Sequence, residues 1–468
     1  MGKSLRKTLP WDMLPTIFAL AWPTMLEQLM QTAVQYVDVA MVGSLGTQAT
    51  AAVGATSTVN WLVSSTISAV GIGFLAYISQ TCGAGEYNEA KKASAQSVLA
   101  VLILGVIFTA VTLGLSGMVP KWMQVDPEIQ HLSAVYFAII YSPMLFRTAI
   151  IIFGTVLRSA GDSKTPMWVG LFVNLINLIL NLFLIYPSRM MELGKLSVFV
   201  PGAGWGVIGA AVASAISFVA GGIAITIKLF SHKQISPLGY SIKPDREVLI
   251  PCLKVALPNC LQRFGTSLGY VVFAAMINSL GDVATAAHTI ANTVESAFYI
   301  PGYGMQTAAA TLAGNAWGAR DVKRVKDLSK MILPIEVILM VLSGGLLFTF
   351  APNMMALFSK DQQVILLGAT VLRMVALSEP FYGVSIIIEG MMQGMGNTVI
   401  PFVFNIIGMW LVRIVGTFIC IRFFDMGLVA AWMCMIGHNL MLFGVFTYLA
   451  VTSKYIPRGK NPKIPEKI

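Results

Sequence analysis

Charge is scarce in this sequence: 11% of its 468 residues are Asp, Glu, Lys or Arg, against about 25% in soluble domains. So few charges cannot cover the surface of a water-soluble monomer, and that class is excluded. Cysteine is also sparse, and its five positions include no CxxC pair, so neither a disulfide framework nor a zinc site is expected. The four histidines are scattered without HExxH spacing. Walker loops, nucleophile elbows and strand-borne GxGxxG turns are absent too. Nothing here points to an enzyme or to a bound cofactor.

What is abundant is apolar. Hydrophobic residues make up 56% of the chain, mean hydropathy is +0.76, and runs of about 20 apolar residues, the length of a bilayer crossing, recur throughout. Breaks at polar and Gly/Pro clusters divide the chain into twelve spans: 15 to 41, 51 to 79, 93 to 119, 130 to 157, 166 to 187, 206 to 230, 248 to 277, 286 to 314, 329 to 351, 363 to 391, 400 to 421 and 427 to 452. Lys3, Arg6 and Lys7 precede the first span in the manner of a signal peptide. That span contains Pro23, Glu27 and Asp38 and lacks a small-residue cleavage site, so it is expected to persist as a helix.

The 31 Lys and Arg residues exceed the 21 Asp and Glu residues by ten. In a soluble protein that excess would suggest nucleic acid. With both termini cytoplasmic, the inner segments together with the span ends that adjoin them hold 22 of the basic residues, the outer loops 5 and the rest of the spans 4. The excess is therefore a topological signal of the positive-inside kind, and no nucleic-acid partner is expected.

The two halves of the chain repeat each other at an offset of 235 residues. Pro23 falls on Pro258, Gly46 on Gly281, Gly83-Ala84 on Gly318-Ala319, Gly161-Asp162-Ser163 on Gly396-Asn397-Thr398, and Pro166 on Pro401. Beyond these the loop from about Pro187 to Trp205 lacks a full counterpart, and Gly206-Val-Ile-Gly-Ala-Ala answers Gly427-Leu-Val-Ala-Ala at a smaller offset. Each repeat holds an even number of helices, so both enter the membrane from the same side. The predicted fold is an all-α polytopic membrane protein with twelve transmembrane helices in two parallel six-helix repeats around a central cleft. Its parts are a cytoplasmic N-terminus (1–14), an N-lobe (15–230), a cytoplasmic linker (231–247), a C-lobe (248–452) and a basic cytoplasmic tail (453–468).

The duplicated six-helix pattern, the string Tyr36-Val-Asp38-Val-Ala-Met-Val-Gly43, the segment from Arg158 through Gly161-Asp162-Ser163 to Pro166, and Gly394-Met-Gly396-Asn397-Thr398 resemble the multidrug and toxic compound extrusion (MATE) family over nearly the whole chain. The resemblance implies a plasma-membrane antiporter, expected to be a monomer, that expels organic cations and amphiphilic drugs against inward H⁺ or Na⁺ flow. It implies a central coupling role for the acid at Asp38. One branch pairs that acid with an asparagine and, four residues on, an aspartate in the fifth span. The matching residues here are Asn177 and Asn181, two neutral amides. Na⁺ near Asp38, Asn177 and Asn181 is the metal such a site would take. A second branch uses an acid in the seventh span, and Gln262 through Tyr270 contains none.

Apart from the lysines near the inner span ends, ten charged residues fall inside the spans: Glu27, Asp38, Glu295, Glu336, Glu379 and Glu389, with Arg147, Arg263, Arg373 and Arg413. Each costs at least about 2.5 to 3.5 kcal/mol at mid-bilayer, so each is expected to face protein, water or a partner. At helical spacing Glu27, Gln31, Gln35 and Asp38 lie within about 80° of one another, a polar stripe suited to a hydrated cation path. Glu27 is accordingly grouped with the coupling residues. Asn174, Asn177 and Asn181 share a face of the fifth span, where amides could coordinate Na⁺ or simply bond neighbouring helices. Candidate cleft residues for a cationic substrate are Gln31, Gln35, Tyr36, Asn174, Glu295, Tyr299, Tyr382 and Glu389. Glu295 and Glu389 could instead neutralise buried arginines. Glu336 is expected at the membrane interface near the inner end of the ninth span. Two rivals stay open: a flippase for a lipid-linked sugar, which needs a basic cleft, and a membrane receptor or assembly subunit without transport.

Overall fold

The computed structural model describes residues 11–457 apart from 124, 194 and 195. The basic residues Lys3, Arg6, Lys7, Arg458, Lys460, Lys463 and Lys467 lie outside the described residues, with most of the predicted N-terminal and C-terminal segments. Twelve helical spans follow one another. The first repeat comprises α1 (Leu14–Gly43), α2 (Thr47–Gly83), α3 (Tyr87–Leu115), α4 (Pro127–Tyr141 continued by Met144–Ser159), α5 (Lys164–Leu184) and α6 (Gly206–Phe230). The second comprises α7 (Arg246–Asn278), α8 (Asp282–Phe298 continued by Ile300–Gly318), α9 (Val322–Phe358), α10 (Gln362–Gly394), α11 (Val399–Ile407 through a π-helical Gly408–Val415 to Gly416–Phe424) and α12 (Leu428–Val451). In lipid every backbone polar group must be satisfied within its own segment, and the helix does so.

Nine helices among the described residues are individually long and apolar enough to cross a membrane, and α4, bent by 49°, makes a tenth. The two remaining spans, α1 and α8, are long but polar. They carry Glu27, Gln31, Gln35 and Asp38, and Asn292, Glu295, Gln306 and Asn315 respectively. These are the helices expected to face water or a ligand.

The repeat survives at the level of backbone conformation. Gly46 and Gly281 have φ of 114° and 98°, and Gly161 and Gly396 have φ of 89° and 83°, a region that side chains resist. Asp126 caps α4 by accepting from Glu128 N at 3.0 Å, and its counterpart Asp361 caps α10 by accepting from Gln363 N at 2.8 Å. Pro23 and Pro258 lie inside α1 and α7.

The lobes exchange the beginnings of their first helices. Ile17, Leu20 and Ala21 of α1 pack with Met305, Ala309, Ile387 and Met391 of the second repeat. Reciprocally, Val248 and Cys252 of α7 pack with Ile67, Phe74 and Val101 of the first. Glycines let the backbones approach closely: a methyl at Gly83 would overlap the Asn315 carbonyl, and one at Gly318 the Gln80 carbonyl. Those two contacts are images of each other, since Gln80 and Asn315 are also repeat mates. At the opposite ends Tyr36, Val37, Val39 and Trp61 are exposed, so the cleft closes where α2 and α8 end and opens at the far side.

Two connections have no repeat counterpart. The unmatched loop after α5 folds into an antiparallel hairpin of β1 (Pro187–Leu193) and β2 (Leu196–Ala203). Tyr186 at its root donates to the Met41 carbonyl at 3.2 Å, fixing it to the end of α1. The linker between repeats lies along the start of α3: Lys92 meets Asp245 at 2.8 Å, and Gln96 Nε2 donates to the Lys243 carbonyl at 2.8 Å.

Candidate functional site

The α1 stripe ends at a compact polar cluster. Asn181 Nδ2 donates to Asp38 Oδ1 at 2.6 Å, joining α5 to α1. Asn177, one turn earlier on α5, reaches Ser214 of α6 at 3.0 Å. Asn177 and Asn181 are buried, and Asp38 is half-buried. Helical geometry brings the two amides together, because residues four apart lie on one face.

The Asn177 amide can be placed in two ways in this cluster. With the Asn177 amide oxygen toward α1, it accepts from Asn181 Nδ2 at 3.1 Å but faces the Asp38 carboxylate, oxygen to oxygen. With the amide turned over, its nitrogen donates to Asp38 at 3.0 and 3.1 Å and its oxygen accepts from Ser214 at 3.0 Å, which is the better-satisfied arrangement. In the first arrangement a proton or small cation between the oxygens removes the conflict. Asn181 Oδ1 is also buried without a partner.

Glu27 does not join this cluster. Arg158, at the end of α4, donates to Glu27 Oε2 at 2.5 Å, and the same residue's carbonyl accepts from Thr311 of α8 at 3.3 Å. The stripe is therefore divided into an ion pair near the closed end of the cleft and a carboxylate nearer the open end. Gln31, Gln35 and Tyr36 between them are exposed. Asn174 is half-buried on α5.

In the second repeat the predicted acids fall into two groups. Tyr299 donates to Glu295 Oε1 at 2.5 Å, and the Tyr299 and Tyr382 rings lie 5.0 Å apart, centroid to centroid. Glu379 is close enough to feel the charge of Glu295. Glu389 belongs to the other group: its Oε1 accepts from Gln262 at 2.9 Å and Gln393 at 3.0 Å, and its Oε2 accepts from Asn405 at 3.2 Å.

Two expectations are corrected. Among the described residues no buried acid forms an ion pair with Arg147, Arg263, Arg373 or Arg413. Arg147 donates to Ser64 at 2.9 Å, Arg263 to Asn259 at 2.9 Å and Arg373 to the Phe348 carbonyl at 3.3 Å. Glu336 is not interfacial. It is 0% exposed and packs against Gly302 in the middle of α8 and Gly383 within α10, away from the helix ends.

Arg158, Ser214, Gln262 and Asn405 were not singled out from the sequence. Three of them were within reach of the 235-residue offset, which carries Glu27 to Gln262, Arg158 to Gln393 and Gly170 to Asn405. Ser214 is a lone hydroxyl in an apolar run, and no periodicity distinguishes it.

The MatE family model matches this chain twice, over residues 23–183 and 258–419, and the two matches begin one repeat offset apart. The probable multidrug resistance protein NorM of Thermotoga maritima is 27% identical over 92% of this chain and 91% of that protein. The multidrug export protein MepA of Staphylococcus aureus is 23% identical over 70% of this chain and 69% of that protein. Among solved structures, an outward-facing multidrug resistance transporter of the MATE family and MOP superfamily superposes with a TM-score of 0.85 at 22% identity, covering 94% of this chain and 96% of that one. A MOP superfamily transporter from Pyrococcus furiosus gives 0.84 at 23% identity, covering 94% and 95%.

Proposed function

The chain belongs to the MatE family, and from that premise we propose that it is a secondary active antiporter exporting organic cations and amphiphilic drugs in exchange for H⁺ or Na⁺. Its relatives are multidrug export proteins by name, which supports the substrate class. The observation that supports the coupling role is the Asp38, Asn177, Asn181 and Ser214 cluster, in which a half-buried carboxylate on α1 is held by neutral amides of α5 and no basic residue.

Two lobes, 15–230 and 248–452, rock about the cleft. In the conformation seen, the α2 and α8 ends are closed and Asp38 faces the open end. With both termini cytoplasmic in a plasma membrane, that end is external, and the coupling ion loads Asp38 from outside. Closure and reopening on the cytoplasmic side release it. A ligand shifts such an equilibrium only through different affinities for the two states. Asp38 supplies that difference if the drug and the ion compete for it. The aromatic faces of Tyr299 and Tyr382 beside Glu295 suit the cationic substrate. The monomer contains both lobes and needs no second copy.

One observation favours a second reading, a flippase for a lipid-linked sugar: the arginines inside the spans lack acidic partners and could meet a pyrophosphate. Reconstitution in liposomes with a fluorescent organic cation, under separately imposed pH and Na⁺ gradients, decides. Uptake or release driven by either gradient supports antiport and identifies the ion. Indifference to both sinks antiport in favour of the flippase.

A further inference from the structure

The second repeat contains a charge-inverted image of the Asp38 cluster. The repeat offset carries Asp38 to Phe273 and Asn177 to Val412, the neighbour of Arg413, and the smaller α6 to α12 offset carries Ser214 to Met435. The contacts recur with new chemistry. Where Asn177 meets Ser214, Arg413 Nη2 approaches Met435 Sδ at 2.8 Å. Where an amide meets Asp38, the Arg413 guanidinium stands 4.3 Å from the centroid of the Phe273 ring. A carboxylate between neutral groups has become a guanidinium between neutral groups.

Arg413 is 3% exposed, and its Nε has no partner. Ring faces and a thioether attract a guanidinium but do not neutralise it. Among the described residues no acid lies within ion-pair distance of it, and the carboxylate of Glu295 is engaged by the Tyr299 hydroxyl. Further unpartnered polar atoms accompany it: Trp432 Nε1, Thr417 Oγ1 and both ring nitrogens of His438, on side chains 0%, 0% and 6% exposed. The Arg413 charge reaches His438 as well. Arginine and tryptophan can only donate, and the hydroxyl and imidazole can do so. What the layer lacks is an acceptor with negative charge. Arg413 also lies on the π-helical stretch Gly408–Val415, a widened turn of the kind found at functional sites.

We propose that Arg413 anchors a buried site for a small inorganic anion of the halide class, between α7, α11 and α12. The N-lobe cluster is built around a negative side chain and suits a positive ion; its C-lobe image is built around a positive one and holds a negative ion. A methyl at Gly408 would overlap the His438 ring, so the layer is tight and favours an atomic ion. The site does not depend on the antiport reading.

Purified full-length protein is melted in chloride, bromide and gluconate at equal ionic strength. Halide should raise Tm saturably by about 2 to 4 °C over gluconate. Asp38→Asn should keep that increment, and Arg413→Met, which preserves bulk and polarisability, should lose it. Crystals soaked in bromide should show an anomalous peak beside the guanidinium, a readout that needs no variant to fold. Equal melting in all three salts with no bromide peak overturns the site, as does a halide increment that survives Arg413→Met. Wild-type indifference to halide together with destabilisation by Glu295→Gln makes Glu295 the counter-charge and likewise overturns it.

Discussion

The Arg158 guanidinium donates to Glu27 at 2.5 Å, and the residues one repeat later, Gln262 and Gln393, both donate to Glu389. The same pair of backbone positions thus holds an ion pair in one lobe and two amides around a third residue's carboxylate in the other. The exchange is sterically consistent. Glu389 and Asn405 are the repeat mates of Gly154 and Gly170, whose missing side chains leave room for Arg158 and Glu27. Duplication preserved the contact and redistributed the charge.

Glu27→Gln or Arg158→Gln alone strands one partly buried charge. The expected loss is about 1 to 3 kcal/mol, below the roughly 3 to 5 of a fully buried pair because both side chains keep some solvent. The double variant removes both charges together, leaves neither stranded and should recover most of the loss. Thermal melting of the three proteins is the check, and a double variant no more stable than either single one would refute the pairing.

The twelve spans and the repeat were legible in the sequence because lipid imposes a length and duplication imposes an offset. Even α1 and α8, too polar to pass a hydropathy test alone, were set off by the polar and Gly/Pro breaks at their ends. The Asp38 cluster was legible only in part. Asn177 and Asn181 share a helix face that spacing predicts, but Ser214 arrives through the packing of α6, which spacing does not encode. The misplaced Glu336 has a local cause: the charged turn Val322–Lys330 looks like loop and is helix. The arginines failed differently. Charge counting pairs them with acids, whereas in the structure hydroxyl, amide, carbonyl, thioether and ring faces take that place.

Asp38→Asn should abolish gradient-driven exchange and leave the fold intact. Asparagine keeps the shape and one acceptor, so Asn181 Nδ2 retains a partner, while the titrating and cation-binding charge is lost. Resistance to an organic cation in cells and exchange in liposomes should both fall to the level without protein, with stability within about 1 kcal/mol of wild type by the usual size of a conservative change. Full resistance from this variant would remove Asp38 from the coupling role.

Glu336 has neither carboxyl oxygen partnered and no exposure. Its Oε1 lies 3.0 Å from where side chains would begin at both Gly302 and Gly383, so it fills a slot between α8 and α10. A buried polar group without a partner costs about 1 to 3 kcal/mol. Glu336→Met, similar in length and adaptable in shape, should therefore stabilise the protein by that order, measured as a higher Tm, with exchange unchanged. Exchange lost in a stabilised protein would instead put Glu336 on the ion path.

The reciprocal contacts of Gly83 with the Asn315 carbonyl and Gly318 with the Gln80 carbonyl seal the closed end of the cleft. Neither position accepts a Cβ while the seal holds, because the obstructing atoms are backbone. Gly83→Ala and Gly318→Ala should each penalise the closed arrangement by about 1 to 3 kcal/mol, the usual cost of overpacking, which shifts the population toward the opposite opening by about 5- to 150-fold. Cys82, a free thiol beside Gly83, reports the change once the other four cysteines are replaced. Its alkylation by a permeant maleimide should accelerate in both variants and to a similar degree, since the two contacts are repeat images. Labelling at the wild-type rate in both would mean that the seal is made elsewhere, and acceleration in only one would mean that the two halves of the seal do not share the load.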